Sequence, residues 1–539
     1  FAYYYHAEQL QQKEWSDEKN LAEINDYSAS VRPLGTEPDE FQVNLDDIQA
    51  SFYIVGKNKI KIKSKTDATF KVDIKLNTSN SSLILYQNSN NRRKNLKSKL
   101  FTYISEIVIT KNDGTKYYFG GDLSAIEFSC VQYPTYVRDN TINTNEWKSI
   151  ATAWMLKKVA LTNGEEIEFK YAKNGTPIVM LDSHYGEAYL LEENQQIYSI
   201  FDTKDRSSKY FNISFTFIQP SYLQSIKSIT TNNEIYFNSS KTNELKYNIT
   251  PSVFNYRVGD FYYYDNENPG EFSFDNLMNQ NYYMQLDEIV EKNKHTVFHY
   301  SNDSLSRLRL LSVNILQNDR KDLCKYILSY NNLKLPPYNA KKSDRWGYYN
   351  NKYYGNTEYE KLREYRTADE MHMQAELLTS ITYPTGGRSE FIYEPHQYSH
   401  IAEQFEFAIK PSSGMAGGVR IKEIKTIENG KTNSRFFEYK DSLGQSYVIL
   451  SGNHLYYVTG RQHIKYHYGH WWGLVYENIK VDYKARYYFM QENNFNQLST
   501  TNGNHVTYSR IIEKQSDGSQ TIYSYSNHEH YMDESPVKM

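Results

Sequence analysis

A chain of 539 residues carries 61 Lys or Arg against 64 Asp or Glu, a near balance that leaves no basic footprint for nucleic acid and no polybasic membrane signal. With 25 Gly and 13 Pro it is neither collagen-like nor low-complexity, and its two cysteines make no disulfide framework. No apolar run is long enough to span a bilayer as a helix, which leaves a large body able to bury a core of its own.

Residues 1–36 read as a helical and linker segment. Positions 8–15 and 18–24 are good helix formers, and Arg32-Pro33 and Glu37-Pro38 then break the pattern. The chain opens at Phe1 without a recognisable leader and closes at Met539 without a tail, so it reads as a processed or partial chain.

From residue 37 to 539 the expectation is an all-β body. Ile60-Lys61-Ile62-Lys63 and Phe70-Lys71-Val72-Asp73-Ile74-Lys75-Leu76 alternate with period two, the signature of antiparallel strands with one wet face. A module then recurs: an apolar strand, a Gly or Asn turn, and a strand ending in Phe and Tyr. It spans 104–119, 156–171, 378–393 and 508–525, with looser copies at 223–237, 286–300, 310–330 and 419–439. The spacing between copies varies widely, which disfavours a propeller or a strict solenoid. Tyrosine is the compositional outlier, 52 residues beside 25 Phe, and its ring suits a half-buried pleated face with the hydroxyl at the margin. The fold predicted is a succession of antiparallel hairpins forming a large twisted or shell-like sheet, with a possible subdivision near 331–376.

Between the hairpins, 131–150, 172–210, 251–283, 331–372 and 440–475 lack steady periodicity. They read as long strands of low hydrophobicity or as loops that carry binding, with a helix predicted over 358–375. Cys324 reads as a small apolar strand residue, and a single bridge to Cys130 stays open.

Several strings go beyond a generic hairpin. They include Glu37-Pro38-Asp39-Glu40-Phe41, Asp113-Gly114-Thr115-Lys116-Tyr117-Tyr118-Phe119-Gly120-Gly121 and Asp344-Arg345-Trp346-Gly347-Tyr348-Tyr349-Asn350. Others are Ile381-Thr382-Tyr383-Pro384-Thr385-Gly386-Gly387, Tyr393-Glu394-Pro395-His396, Gly417-Gly418-Val419-Arg420-Ile421, His463-Ile464-Lys465-Tyr466 and Val506-Thr507-Tyr508-Ser509. In this order they resemble the large Bacteroidota surface or secreted proteins described as Rhs-like or related to YD repeats. The resemblance implies a longer parent protein, export, and an extracellular or outer-membrane-associated location. It also implies protein partners at the envelope, and it transfers no catalytic residue. The chain departs from the Rhs pattern in having no regular Tyr-Asp repeat, no self-cleavage motif and no toxin domain.

Candidate chemistry is sparse. His463, His467 and His470, with His454 nearby, are the metal candidates; on a strand the first two share a face and the third falls on the other, so polar strand histidines are the competing reading. Trp346, Tyr348 and Tyr349, and Trp471 and Trp472, are aromatic clusters beside Gly that either contact a glycan or protein partner or plug the core. Asp344 and Arg345 read as an ion pair or a turn-stabilising group, and Gly386-Gly387 and Gly417-Gly418 as turn glycines. Asp39, Asp344 and Glu394 are nominal glycosidase carboxylates. No nucleophile elbow, phosphate loop or dinucleotide fingerprint occurs, so no cofactor and no catalytic residue is assigned. The reading is a non-enzymatic envelope or secreted scaffold or shell that serves as an interaction surface. The alternatives are a carbohydrate-binding or carbohydrate-processing surface protein, or a toxin-delivery shell fragment.

Overall fold

The structure is a computed structural model. It describes residues 40–530, apart from the segments 87–95, 132–146, 193–206, 248–281, 440–447 and 492–502 and some shorter stretches. The helix expected within 1–36 lies outside the described residues. What is described is all-β, with helix confined to Tyr359–Tyr365 and two single 3-10 turns, Leu123–Ala125 and His372–Gln374. The chain divides into two compact units. The first comprises residues 1–181, 214–241 and 263–296; the second comprises 182–213, 242–262 and 297–539.

The first unit is built on a run of strands in which each is antiparallel to the next. In order these are Phe70–Asn77, Tyr103–Lys111, Lys116–Gly120, Leu156–Ala160, Glu166–Ala172, Tyr222–Ser228, Glu234–Lys241 and Met284–Glu291. The period-two reading holds where the core needs it. Phe70 and Val72 are buried while Lys71 and Asp73 are exposed, until a bulge at Lys75/Leu76 ends the alternation and leaves Leu76 outside. Those buried residues join Ile104, Ile107 and Ile109, and meet Val43, Ile48, Ala50 and Phe52 of a separate three-stranded sheet, Glu40–Leu45, Ile48–Gly56 and Lys59–Ser64. Phe41 stacks on Phe52 with ring centroids 4.8 Å apart. Burial of apolar surface, at about 25 cal/mol per Å², is what holds this unit together.

The second unit repeats the plan: Arg309–Gln317, Asp322–Tyr330, Leu378–Thr382, Arg388–Glu403, Ala408–Glu428, Lys431–Glu438, Arg510–Gln515 and Gln520–Ser524 pair in sequence, antiparallel. Two short strands, Val448–Leu450 and Val506–Tyr508, attach to the far end of Arg388–Glu403. Residues 331–377 leave the sheet between two strands that pair directly. Strand Tyr457–Trp472 forms a long hairpin with Val475–Gln491, so part of 440–475 is a strand of low hydrophobicity. The helix predicted over 358–375 stops at Tyr365 because Asn350 Nδ2 donates to the carbonyls of Tyr365 and Thr367, at 2.8 and 2.9 Å, and ends the ladder.

Every copy of the module is a hairpin. The Gly turns sit in the left-handed region where a turn requires it, as at Gly386 (φ +84°), with Gly386 N–H donating to Tyr383 O and Tyr383 N–H to Gly387 O. The tyrosines at the module ends have a specific task. Tyr171 Oη donates to Leu156 O (2.8 Å), Tyr330 to Leu310 O (2.7 Å), Tyr393 to Leu378 O (2.7 Å) and Tyr439 to Ile421 O (2.6 Å). In each, the aromatic that ends the module closes a carbonyl of the module's first strand. Where Phe119 takes that place, Trp154 Nε1 donates to Ile104 O at 2.7 Å. Burial pushes the Tyr171 phenol up to about 12, so the donor keeps its proton. Cys130 and Cys324 are not bridged to each other.

Candidate functional site

Four strings that are distant in sequence meet in the second unit: Asp344–Asn350, Tyr393–His396, Gly417–Ile421 and His505–Tyr508. Each is held by local chemistry. Asp344 is fully buried and organises its own turn: Oδ1 accepts the N–H groups of Trp346 (2.9 Å) and Tyr348 (3.0 Å), and Asp344 N–H donates to Tyr348 O (2.7 Å). The turn-stabilising reading of Asp344 therefore applies. Arg345 does not pair with it; its Nη2 donates to Arg363 O at the helix end (3.0 Å), while buried Arg366 donates from Nη2 to Asp344 O (2.8 Å). Burial pushes the Asp344 carboxyl up to about 6, against the pull of the backbone donors and Arg366. Its Oδ2 is buried with no hydrogen-bond partner.

That oxygen faces Gly417, which corrects the reading of Gly417-Gly418 as a turn. Both glycines lie inside strand Ala408–Glu428. A Cβ at Gly417 would stand 3.0 Å from Asp344 Cγ and 2.7 Å from Tyr348 Cδ2, and one at Gly418 (φ +83°) would stand 2.7 Å from Tyr348 Cζ. Two bare backbones here let the 344–350 turn dock on the strand.

Rings fill the remaining space. Trp346 packs edge-on against His454 (4.8 Å) and tilted against His505 (5.9 Å), and rests on the small apolar cluster of Ile401, Ala416, Val448, Leu450 and Val506. His505 Nε2 donates to Gly417 O at 2.7 Å and meets His396 edge-to-face at 5.6 Å. Arg420 pairs with Glu394 at 2.7 Å, lies over Tyr439 (4.1 Å), and donates from Nη1 to the Tyr508 oxygen at 3.4 Å. An arginine can only donate, so the Tyr508 proton is left for His396 Nδ1, 2.5 Å away. Burial, with His505 and Arg420 adding to it, lowers His396 to about 4. Burial followed by Arg345 and Arg366 lowers His454 to about 3, and burial lowers His505 as well. All three imidazoles are therefore neutral at physiological pH.

No protein-family model and no curated protein matches this chain. Among solved structures it is similar to the Tc holotoxin pore of Photorhabdus luminescens, at 9% identity and a TM-score of 0.20, over 74% of this chain and 21% of that one. That likeness is too loose to carry across a residue or an activity.

The candidates that the sequence singles out divide accordingly. Trp346 is inside the cluster, Tyr348 is 39% exposed, and Tyr349 is partly buried edge-on to His372, with ring centroids 5.3 Å apart. His463, His467 and His470 stand opposite Lys484, Lys480 and Glu477 in the long hairpin; their side chains, like those of Trp471 and Trp472, lie outside the described residues. Asp39 lies outside them too. Among the described residues no group of three or more His, Cys, Asp or Glu could hold a metal ion, and no helix is long and apolar enough to cross a membrane. The strings that hold His396, Arg420 and Tyr508 stand out in the sequence, but not as one site, and His505 does not stand out at all. The available signal is that short polar-aromatic strings recur beside Gly in an otherwise plain hairpin text.

Proposed function

We propose that this chain is a non-enzymatic β scaffold whose 331–376 insertion is an interaction surface, and that it works at the cell envelope or outside the cell. The observation that carries this reading is how the cluster side chains are used. Asp344, Asn350 and Arg366 bond within the insertion, Arg420 within the Arg388–Glu403 and Ala408–Glu428 hairpin, and His396 and His505 between that hairpin and 505–508. Trp346 and Tyr348 then pack the insertion against His505 and the bare Gly417-Gly418 backbone, which clamps it to the hairpin. What the clamped insertion turns outward is Tyr338 (42% exposed), Tyr353 (53%) and Met371 (68%), residue types enriched at protein interfaces. The envelope location rests on the Rhs-like resemblance of the clamp strings themselves.

Photo-cross-linking tests the reading. With p-benzoylphenylalanine in place of Tyr353 or Tyr338, the expectation in the producing cells is a discrete protein adduct in the membrane or secreted fraction. The same reagent at the exposed Tyr236 of the first unit is expected to give none. Equal labelling at all three positions, or a cytoplasmic chain recovered without adducts, would refute it.

A further inference from the structure

The cluster that clamps the insertion is made of groups that acid turns against one another. It joins segments with little hold of their own. Val506–Tyr508 has three ladder partners in Val448–Leu450, and that strand has two in Arg388–Glu403. By contrast, Arg388–Glu403 and Ala408–Glu428 pair along most of their length. Ser451 adds two hydrogen bonds to the His505 carbonyl, and Val506 and Trp346 add apolar contacts. The rest of the attachment of the 344–350 turn and of Val506–Tyr508 comes from the ring cluster, on which the long hairpin does not depend.

We propose that the cluster is an acid-operated latch: protonation of His396, His454 and His505 releases the 344–350 turn and the Val506–Tyr508 strand while the long hairpin stays paired. The facing groups give the reason. His396 looks at Tyr508, at His505, and at Arg420 of the neighbouring strand. A proton on Nδ1 replaces the acceptor that the Tyr508 hydroxyl uses. His454 faces Trp346, His505, and Arg345, Arg363 and Arg366 from the turn and the helix end. His505 lies between Trp346, Tyr348, His396 and the Gly417 carbonyl. The carboxylates present are Glu394, committed to Arg420, and Asp344. Three imidazoliums would thus add to four arginines against two acids, in a site with little water to screen them.

The sign is set by the burial of the rings. The histidines are held below their ordinary value, so the stability they supply is complete above about pH 6.5 and is lost as pH falls. Asp344, held above its ordinary value, works the other way and becomes neutral as pH falls through about 6. One carboxyl opposes three imidazoles, so the net effect of acid is release.

Hydrogen exchange of the full chain, corrected for intrinsic rates, decides the matter. Between about pH 7.5 and about pH 4.5, peptides covering 344–350 and 505–508 are expected to gain about tenfold in exchange, while peptides from 103–120 and from 419–428 hold theirs. His396→Gln and His454→Gln, each first shown to keep wild-type protection at neutral pH, should move the release to lower pH. The proposal is overturned if both units lose protection together, or if both variants keep the wild-type midpoint.

Discussion

The interior around Ile109 in the first unit and the interior around Asp344 in the second solve the same problem with opposite materials. The first is hydrocarbon: Ile48, Phe52, Ile104 and Ile109 are at most 2% exposed and pack with Val43, Ala50, Phe70, Val72 and Ile107. A half-buried cation elsewhere in that unit, Lys173, is surrounded by acceptors: its ammonium donates to Gln219 O (2.9 Å), Ser221 Oγ (3.0 Å) and Ile126 O, and burial lowers it to about 8. The second interior is rings and charges: Asp344, Asn350 and Arg366 are buried beside three neutral imidazoles. Apolar contacts are non-directional and tolerate pH; hydrogen-bonded polar contacts fix one geometry and fail when a partner changes charge. The first unit is therefore expected to be insensitive to acid and sensitive to volume, and the second the reverse.

The largest effect that would sharpen this contrast is in the apolar core. Phe52→Ala should cost about 4 kcal/mol, confined to the first unit, as read by pulse proteolysis resolved by peptide. An equal loss in the second unit would break the distinction. Next, Gly417→Ala should cost the second unit about 3 kcal/mol, since the added methyl meets the Asp344 carboxyl and the Tyr348 ring; a change under about 0.5 kcal/mol would show that the turn does not dock as described.

Acid comes third. His396 and His454 have folded values near 4 and 3 against an ordinary 6.5, and Asp344 near 6 against 3.8. On these three groups, between pH 4 and 6, the unfolded chain thus binds about two more protons on imidazole and about one fewer on carboxyl than the folded unit. The net of one proton predicts a loss of about 1.4 kcal/mol per pH unit in that window, which His505 can only enlarge. A denaturant midpoint for the second unit that is flat from pH 6 to pH 4 would contradict it. The smallest effect is shared by both units. Tyr171→Phe and Tyr393→Phe should each cost about 1 kcal/mol, the worth of one hydroxyl hydrogen bond, whichever interior lies nearby.

The hairpins are legible in the sequence because they are local. A strand, a Gly turn and an aromatic strand write their faces into adjacent residues, and Phe70, Val72, Lys71 and Asp73 fall where period two puts them. The cluster is not legible because its contacts join Asp344 to Gly417, His396 to Tyr508 and Trp346 to His505, pairs that no periodicity links. Local spacing instead draws attention to His463, His467 and His470. Gly417-Gly418 misleads for a related reason: a glycine needed for close approach looks in sequence like one needed for a turn. The helix over 358–375 is overestimated because propensity cannot register Asn350, which sits outside the segment and takes its carbonyls.

The tyrosine that closes four of the hairpins also bears on how such a chain can grow. Because Tyr171, Tyr330, Tyr393 and Tyr439 satisfy a carbonyl of their own module, that bond asks nothing of the segment that follows. A stretch of any length can then be spliced between two modules without retuning either, as the excursion of residues 331–377 between directly paired strands illustrates. The uneven spacing of the repeat is then the licence that self-sufficient units give to insertion.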